Sequence, residues 1–343
     1  MNQPQQLLQH VKDILEKNYH LHPQKHILLV YDTGCTLSTL LATAYQEVMK
    51  PYSHQAIEFD NVPERYIFEA FEQLPPNSLV ILVQSGSFRM TKYRLRADLF
   101  RQGHQVIEHA RLSFNLEDQI PNYIDSLAYD TDYYVQACTV LEGLLLENNQ
   151  IQIESGDNLK LEITSAFEKP IKNTADFSNN PTASTGFPIG EIFTEAKELD
   201  KINGSVLVFG FPTLEHKTHF CDPFTVTIQD GCLVGHTGPA EFETIIQLIK
   251  SEEEGGKVQI REIGFGLNRG IGFDKRINEP TAFERFAGMH FSLGLKHAMY
   301  RKKFKKQVYQ KYHVDIFCTV NTVRIGETKV MEKGKYLIGE RFK

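Results

Sequence analysis

The sequence lacks the cysteine pattern of a disulfide-stabilised protein. Its 343 residues include only five cysteines, an odd number spread along the chain without close pairs: Cys35, Cys138, Cys221, Cys232 and Cys318. A chain of this length can bury a large core without covalent cross-links. Unpaired cysteines are typical of a reducing compartment, which favours a cytoplasmic location.

Long hydrophobic runs are also missing. No stretch approaches the about 20 consecutive apolar residues that span a bilayer as a helix. A secretory signal has a cationic segment that leads into an apolar run, and residues 1–6 contain no such segment. We therefore expect a cytoplasmic protein with no membrane partner.

An excess of basic charge is absent as well. The chain has 37 Lys and Arg residues against 43 Asp and Glu residues, which gives a net charge of −6. Contacts with nucleic-acid phosphates require a concentrated basic surface, so this balance argues against a nucleic-acid partner. Small molecules or short peptides are the expected ligands. The length and the 41% hydrophobic content predict two domains with sizeable cores.

Residues 1–147 are predicted to form an α/β N-terminal domain with a mostly parallel sheet. A buried strand at residues 26–31 is followed by a turn and a helix, and the same order recurs with a strand at residues 78–83 and a helix at residues 91–102. Buried strands that alternate with helices are typical of a parallel sheet covered on both faces.

Residues 148–343 are predicted to form an α+β catalytic domain that carries a metal site. Apolar and polar residues alternate in short segments, and Asp230-Gly231 between two such segments indicates a hairpin. Residues 172–185 are rich in Asn, Thr, Ser and Pro without periodicity, so they are predicted to be a loop.

His313 and Asp315 lie two positions apart in a segment of strong strand propensity. Side chains alternate along a strand, so this imidazole and this carboxylate project together while Val314 and Ile316 project to the other face. Two potential ligands on one rigid surface make half of a metal site. The alternative is that they only pair with each other on a solvated face.

Three further candidate ligands precede this pair. Glu262 falls in an apolar strand, where alternation places it on the face of Val258 and Ile260. A carboxylate there must be neutralised, paired or metal-bound, because burying it alone is costly; a salt bridge with a basic residue is the alternative. Glu191 follows glycine and proline residues and could cap a turn. His290 could be a core histidine with its hydrogen bonds satisfied.

The combined set supplies three carboxylates and two imidazoles: Glu191, Glu262, His290, His313 and Asp315. This mixture of donors suits two borderline-hard divalent ions better than one structural zinc with thiolate ligands. Two such ions carry four positive charges against three negative ones. The remaining positive charge would favour a bound hydroxide.

Four motifs contain these residues: Gly-Phe-Pro-Ile-Gly-Glu-Ile-Phe-Thr at 186–194, Glu-Ile-Gly-Phe-Gly-Leu-Asn-Arg-Gly-Ile at 262–271, Gly-Met-His-Phe-Ser-Leu-Gly at 288–294 and His-Val-Asp at 313–315. In this order they resemble the metal-ligand motifs of the thermophilic-type metallo-aminopeptidases, the aminopeptidase T/S family. The resemblance covers most of the chain. It implies that the five residues hold two divalent ions (zinc, cobalt or manganese), that Glu262 or Asp315 bridges them, and that a homodimer removes N-terminal residues from short peptides.

The sequence departs from the family pattern near the first histidine. The tyrosine expected about seven residues further on is replaced by His297, and Tyr300 lies close by. Either side chain could hydrogen-bond a developing oxyanion, although an imidazole would change the pH dependence. Together with Glu262 they are the catalytic candidates. Arg301 opens a basic run and is the candidate substrate-binding residue, although such runs usually form a solvated face.

A related group on the same fold, the 2,5-dihydroxypyridine dioxygenases, also resembles this chain. These enzymes use two histidines and an aspartate to bind a single Fe(II), and His290, His313 and Asp315 could serve in that way. The presence of both Glu191 and Glu262 favours two metals and hydrolysis. A specialised relative without general peptidase activity is a third interpretation.

Overall fold

The computed structural model describes residues 2–87, 95–174, 177, 184–252, 256–297, 300 and 312–337. The helices in this part of the chain are α1 (Gln3–Asp13), α2 (Thr36–Met49), α3 (Glu64–Glu72), α4 (Leu95–Arg101), α5 (Ile120–Ser126), α6 (Thr131–Glu147), α7 (Ala240–Ser251) and α8 (Pro280–Phe283). None of these helices combines the length and the apolar character needed to cross a membrane.

The strands were numbered in chain order. They are β1 (Ile27–Tyr31), β2 (His54–Glu58), β3 (Leu79–Val83), β4 (Gln105–His109), β5 (Ile151–Ser155), β6 (Leu159–Ile163), β7 (Ile171–Asn173), β8 (Ser184–Gly186), β9 (Glu191–Glu195), β10 (Ile202–Pro212), β11 (Thr218–Gln229), β12 (Cys232–His236), β13 (Ile260–Gly266), β14 (Gly288–Gly294), β15 (His313–Thr319), β16 (Thr322–Ile325), β17 (Thr328–Glu332) and β18 (Lys335–Tyr336).

One sheet is parallel throughout, with the strand order β2-β1-β3-β4-β8 among the described residues. Its central strands are apolar on both faces, and every residue of β3 is buried. Such strands form the middle of a sheet that is covered on both sides. The predicted parallel sheet of an α/β fold is therefore confirmed.

The prediction of an uninterrupted loop at residues 172–185 is wrong at both ends. Ile171–Asn173 pairs with β9, and Ser184–Gly186 pairs in parallel with β4. Both segments have only three residues, too few for an alternating pattern to be visible in the sequence. Their strand conformation comes from the neighbouring edges, which supply the backbone hydrogen-bond partners.

The second sheet is large, curled and antiparallel. Its strand order is β18-β17-β16-β5-β6-β10-β15-β14-β13-β9-β7, and a hairpin of β11 and β12 pairs with β10. The adjacent strands β15, β14, β13 and β9 contain all five candidate ligands. Aromatic packing supports these strands: Phe317 packs edge-on against Phe283 at a centroid distance of 4.9 Å and lies 6.5 Å from the His290 ring.

The chain divides into two compact units that are not continuous in sequence. One comprises residues 1–131, 175–189 and 275–282, and the other comprises residues 132–174, 190–274 and 283–343. The five candidate ligands all belong to the second unit. A domain boundary at residue 147 stays a prediction.

His109 is a fully buried histidine in the first unit, and both of its ring nitrogens have partners. Nε2 lies 2.8 Å from the Tyr45 hydroxyl, and Nδ1 lies 3.0 Å from the Tyr123 hydroxyl. Tyr123 in turn donates to the Phe187 carbonyl at 3.3 Å. We infer that Tyr45 donates to Nε2 and that Nδ1–H donates to Tyr123, an arrangement that satisfies a neutral imidazole.

This histidine should make the protein sensitive to acid. Burial lowers the pKa of His109 to about 3, whereas in an unfolded chain it is about 6.5. At a pH between these two pKa values, the unfolded chain binds a proton that the folded chain does not. The free energy of unfolding should therefore fall by about 1.4 kcal/mol for each unit by which the pH is lowered. Urea unfolding between pH 7 and 4 should show a shallower pH dependence in His109→Gln. The exposed His54→Gln variant should retain the wild-type slope; equal slopes in all three proteins would contradict this account.

Candidate metal centre

The register of four antiparallel strands brings the candidate ligands together. Residues directly opposite each other in a sheet project to the same face. His290 lies opposite Gly264 of β13, and Gly266 of β13 lies opposite Glu191 of β9. On the other side of β14, Ser292 lies opposite Asp315 of β15. Alternate residues of neighbouring strands therefore line a single surface.

Glu262 reaches this surface because the register of β13 shifts between Ile260 and Ile263. The partners of Ile260 and Ile263 on β14 project to the same face of that strand. Glu262 is adjacent to Ile263, so it projects to the opposite face, which also carries His290 and Ser292. The prediction that Glu262 shares the face of Ile260 is wrong, since unbroken alternation cannot anticipate a bulge. The Glu262 N–H, displaced from the ladder, donates to Ser292 Oγ at 2.9 Å.

The first group of potential ligands consists of Glu191, Glu262 and His290. The Nε2 atom of His290 lies 3.2 Å from Glu191 Oε1 and 3.3 Å from Glu262 Oε1. All three side chains are buried, and one donor atom from each lies within 4.8 Å of the others. The interpretation of His290 as an ordinary core histidine does not account for two carboxylates that face the same ring nitrogen.

The second group consists of Glu262, His313 and Asp315. His313 Nε2 lies 3.1 Å from Asp315 Oδ1 and 3.9 Å from Glu262 Oε2. These donor atoms also fall within 4.8 Å of one another. Glu262 belongs to both groups and directs one oxygen towards each histidine.

The backbone fixes the orientation of His313. Its Nδ1 lies 3.2 Å from the carbonyl oxygen of Leu295, so Nδ1–H is the donor and Nε2 faces the carboxylates. Metal-binding histidines commonly make such a contact through the nitrogen that does not bind the ion. Nε2 of His313 is thus the nitrogen available to an ion.

The carboxylates retain unused acceptor capacity. Among the described residues, Glu191 Oε1 and Asp315 Oδ1 are buried, and their contacts are with histidine Nε2 atoms at 3.2 and 3.1 Å; Glu262 Oε2 is also buried and lies 3.9 Å from His313 Nε2, beyond hydrogen-bond distance. Buried carboxylate oxygens usually accept more hydrogen bonds than this, because unused acceptors cost free energy. Three carboxylates and two imidazoles that converge with free acceptors fit a site for divalent cations.

Both imidazoles are held in the cationic form by their neighbours. Burial alone would lower the pKa of His290, but its hydrogen bonds with Glu191 and Glu262 raise the pKa to about 10. Burial would also lower the pKa of His313, but the charge and hydrogen bond of Asp315, together with the charge of Glu262, raise it to about 9. A metal ligand must be an unprotonated nitrogen, so an ion that enters at neutral pH would displace both protons.

The carboxylates differ in their electrostatic environment. Burial opposes the ionisation of Glu191, but the Arg285 guanidinium and His290 together outweigh it, so the pKa of Glu191 is lowered. Burial also opposes the ionisation of Asp315, and the combined effect of His313, His290 and Arg285 lowers its pKa. The pKa of Glu262 is raised, because burial dominates and two neighbouring carboxylates add to it.

The other predicted site residues lie in different settings. His297 is half-buried, and its ring centroid is 6.1 Å from that of His313. The Tyr300 hydroxyl donates a hydrogen bond to the Lys169 main-chain carbonyl at 2.8 Å, so its proton is already engaged within the chain. His297 is therefore better placed than Tyr300 to reach a substrate. Arg301 lies outside the described residues.

Sequence reasoning did not identify Arg285, Glu195 or Lys296. Arg285 lies 3.7 Å from Glu191 Oε2, and Lys296 lies 3.1 Å from Glu195 Oε2. Each pair joins residues about 100 positions apart, so no local sequence pattern predicts it. The one available signal was that Glu195 and Glu191 have the same parity within an apolar strand.

Comparison with known proteins relates this chain to others by its fold. No family model matches the sequence, and no curated protein matches it. Two solved structures nevertheless share the fold over almost the whole chain.

One of these structures is 2,5-dihydroxypyridine dioxygenase from Pseudomonas putida KT2440. It has a TM-score of 0.61 and 14% identity, and the match covers 97% of each chain. The other is wild-type AmpT from Thermus thermophilus, an aminopeptidase T, with a TM-score of 0.61, 12% identity and coverage of 97% of this chain and 99% of that chain. At these identities the likeness establishes the fold. These are the two groups that the four sequence motifs resemble, so the predicted relationship is confirmed at that level.

Gly264 is the position where substitution should disturb this centre most directly. A Cβ atom there would lie 2.1 Å from the His290 ring, so Gly264→Ala must displace the imidazole. We expect zinc affinity to fall at least about tenfold while the fold is retained. Gly235→Ala is the matched control, because its added Cβ meets nothing within 4 Å in another strand of the same sheet. Competition with a chromophoric chelator would measure both, and wild-type affinity in Gly264→Ala would contradict a role for His290 as a ligand.

Proposed function

We propose that the protein is a metal-dependent, aminopeptidase-like hydrolase that removes N-terminal residues from short peptides through a dinuclear centre. The observation that carries the proposal is the sharing of Glu262 between two groups of potential ligands. A single metal would not require the second group. The fold is compatible with this chemistry, since the chain shares it with an aminopeptidase T, although it shares it equally with a dioxygenase.

In this proposal Glu191 and His290 would hold one ion, His313 and Asp315 would hold the other, and Glu262, which belongs to both groups, would contribute to both. The divalent ions would polarise the scissile carbonyl and lower the pKa of a water molecule to near neutrality. Glu262 is the residue suited to bridging, since its Oε1 faces His290 and its Oε2 faces His313. Asp315, the other candidate, belongs to only one group.

The remaining steps depend on the protein's own side chains. The His297 imidazole, beside His313, would donate a hydrogen bond to the oxyanion that develops on the substrate carbonyl. A preorganised donor of this kind acts strongly in a buried site, where water does not compete. Burial of the ligand side chains keeps the local dielectric low, which strengthens this interaction.

Metal content and hydrolysis of an aminoacyl-arylamide together test the proposal. We expect about two zinc, cobalt or manganese ions per chain. Glu262→Gln keeps the shape of the side chain but removes its charge, so it should lower both metal occupancy and kcat/KM, the latter by at least about 100-fold. Glu162→Gln, an exposed change on β6, serves as the control and should behave like wild type. One iron per chain, or undiminished hydrolysis in Glu262→Gln, would exclude this mechanism.

Arg285 favours a second candidate, a mononuclear Fe(II) dioxygenase of the 2,5-dihydroxypyridine type. Its guanidinium lies 3.7 Å from Glu191 Oε2 and can balance that charge without a metal. One divalent ion would then neutralise Glu262 and Asp315, although the same guanidinium also pairs with Glu284 and does not offset Glu191 alone. His290, His313 and Asp315 supply the two-histidine, one-carboxylate set that such iron sites use.

Replacement of Arg285 separates the two candidates. The hydrolase predicts two divalent ions per chain in both the wild type and Arg285→Met. The dioxygenase predicts one iron in the wild type, and a second ion only when the competing guanidinium is removed. Arg324→Met, on the hairpin strand β16, controls for the loss of an arginine. Inductively coupled plasma mass spectrometry would give the counts, and oxygen uptake with a dihydroxypyridine would identify the second chemistry.

A further inference from the structure

Glu195 is a fully buried carboxylate that neither group of potential ligands includes. It lies on β9 four positions after Glu191, so the two side chains share a face of the strand, with Phe193 between them. Across the sheet Glu195 lies opposite Glu262. A fourth buried acid therefore stands beside the candidate metal centre without being a candidate ligand.

The carboxylate of Glu195 is engaged by two consecutive residues that follow β14. Oε2 lies 3.1 Å from Lys296 Nζ, and Oε1 accepts a hydrogen bond from the His297 N–H at 3.1 Å. The preceding residue, Leu295, donates its N–H to the Tyr312 carbonyl at 2.7 Å. Three successive residues of this segment are therefore held to the strands that carry the ligands.

The same face of β9 also orients the His297 side chain. The Phe193 ring packs edge-on against the imidazole at a centroid distance of 4.7 Å. Glu195 thus fixes the backbone of His297, and Phe193 fixes its ring. The result is an imidazole whose centroid lies 6.1 Å from that of His313.

Stability alone is a poor explanation for this buried pair. The desolvation of two charges can cost as much as their attraction returns, and apolar replacements of similar volume are often neutral or stabilising. A charged carboxylate does, however, bind a backbone N–H more strongly and in a more defined geometry than a neutral acceptor. Its presence here is better explained by a requirement for position.

We infer that Glu195 is a positioning residue: it holds the Lys296–His297 backbone so that the His297 imidazole stands beside the metal centre. This inference rests on the proposed function, in which His297 contacts the substrate. Displacing a reacting group by about 1 Å can reduce the rate about 100-fold. Loss of this anchor should therefore lower kcat more than it changes KM.

Two double variants isolate the anchoring hydrogen bond. E195Q/K296M and E195L/K296M both remove the ion pair without leaving a buried charge, but only the first keeps an oxygen that can accept from the His297 N–H. We expect E195L/K296M to have a kcat about 100-fold below that of E195Q/K296M. Hydrogen exchange of the His297 amide should be roughly tenfold faster. Both variants should bind as many metal ions as the wild type.

Two outcomes would overturn the inference. Equal exchange of the His297 amide in the two variants would show that Glu195 does not hold it, and metal loss confined to E195L/K296M would place Glu195 among the ligands. If E195L/K296M does not fold, E195D provides the comparison, because it keeps the charge but withdraws the acceptor by one methylene. If the wild type hydrolyses no peptide, the proposed function fails, while amide exchange and metal content still decide whether Glu195 positions this segment.

Discussion

The mutual repulsion of buried carboxylates is the constraint on which this part of the protein depends. Glu191, Glu262 and Asp315 are each less than a tenth exposed and face one small volume. Without compensation, like charges so close together in a low dielectric would force protonation or unfolding. Within the chain two imidazolium groups and the guanidinium of Arg285 supply the compensation. Divalent ions would supply more of it, and they would also use the spare acceptor capacity of these oxygens.

A sheet is well suited to hold such a cluster, because the positions of its side chains are set by backbone pairing and not by flexible loops. Four adjacent strands each contribute one or two of the groups, and the aromatic side chains behind them restrict movement. Gly264 illustrates how closely the parts fit, since the ring of His290 occupies the space that a side chain would fill. The same rigidity extends to His297, which two residues of β9 hold in place. The sheet therefore holds the candidate ligands largely in place.

The five candidate ligands were predicted from acids and histidines within strand-forming apolar runs, where burial is costly unless the group is paired or neutralised, and from the resemblance of four motifs to a known family. The structure brings these residues into two groups, while their role as metal ligands stays a prediction. The parallel sheet was visible in the sequence through continuous apolar segments such as Leu79–Val83. What the sequence could not show were features created by tertiary pairing. The bulge that turns Glu262 towards His290, the short strand Ser184–Gly186 and the ion pairs of Arg285 and Lys296 all depend on residues far apart in the chain.

The two oxygens of Glu262 contact different halves of the centre, and this arrangement has a thermodynamic consequence. Any event that moves or neutralises this side chain in one half must change the affinity of the other half. By linkage the effect is reciprocal, so the two halves share one coupling free energy. Their binding constants would not be independent properties of two separate sites, and a titration would have to be fitted with an interaction term between them.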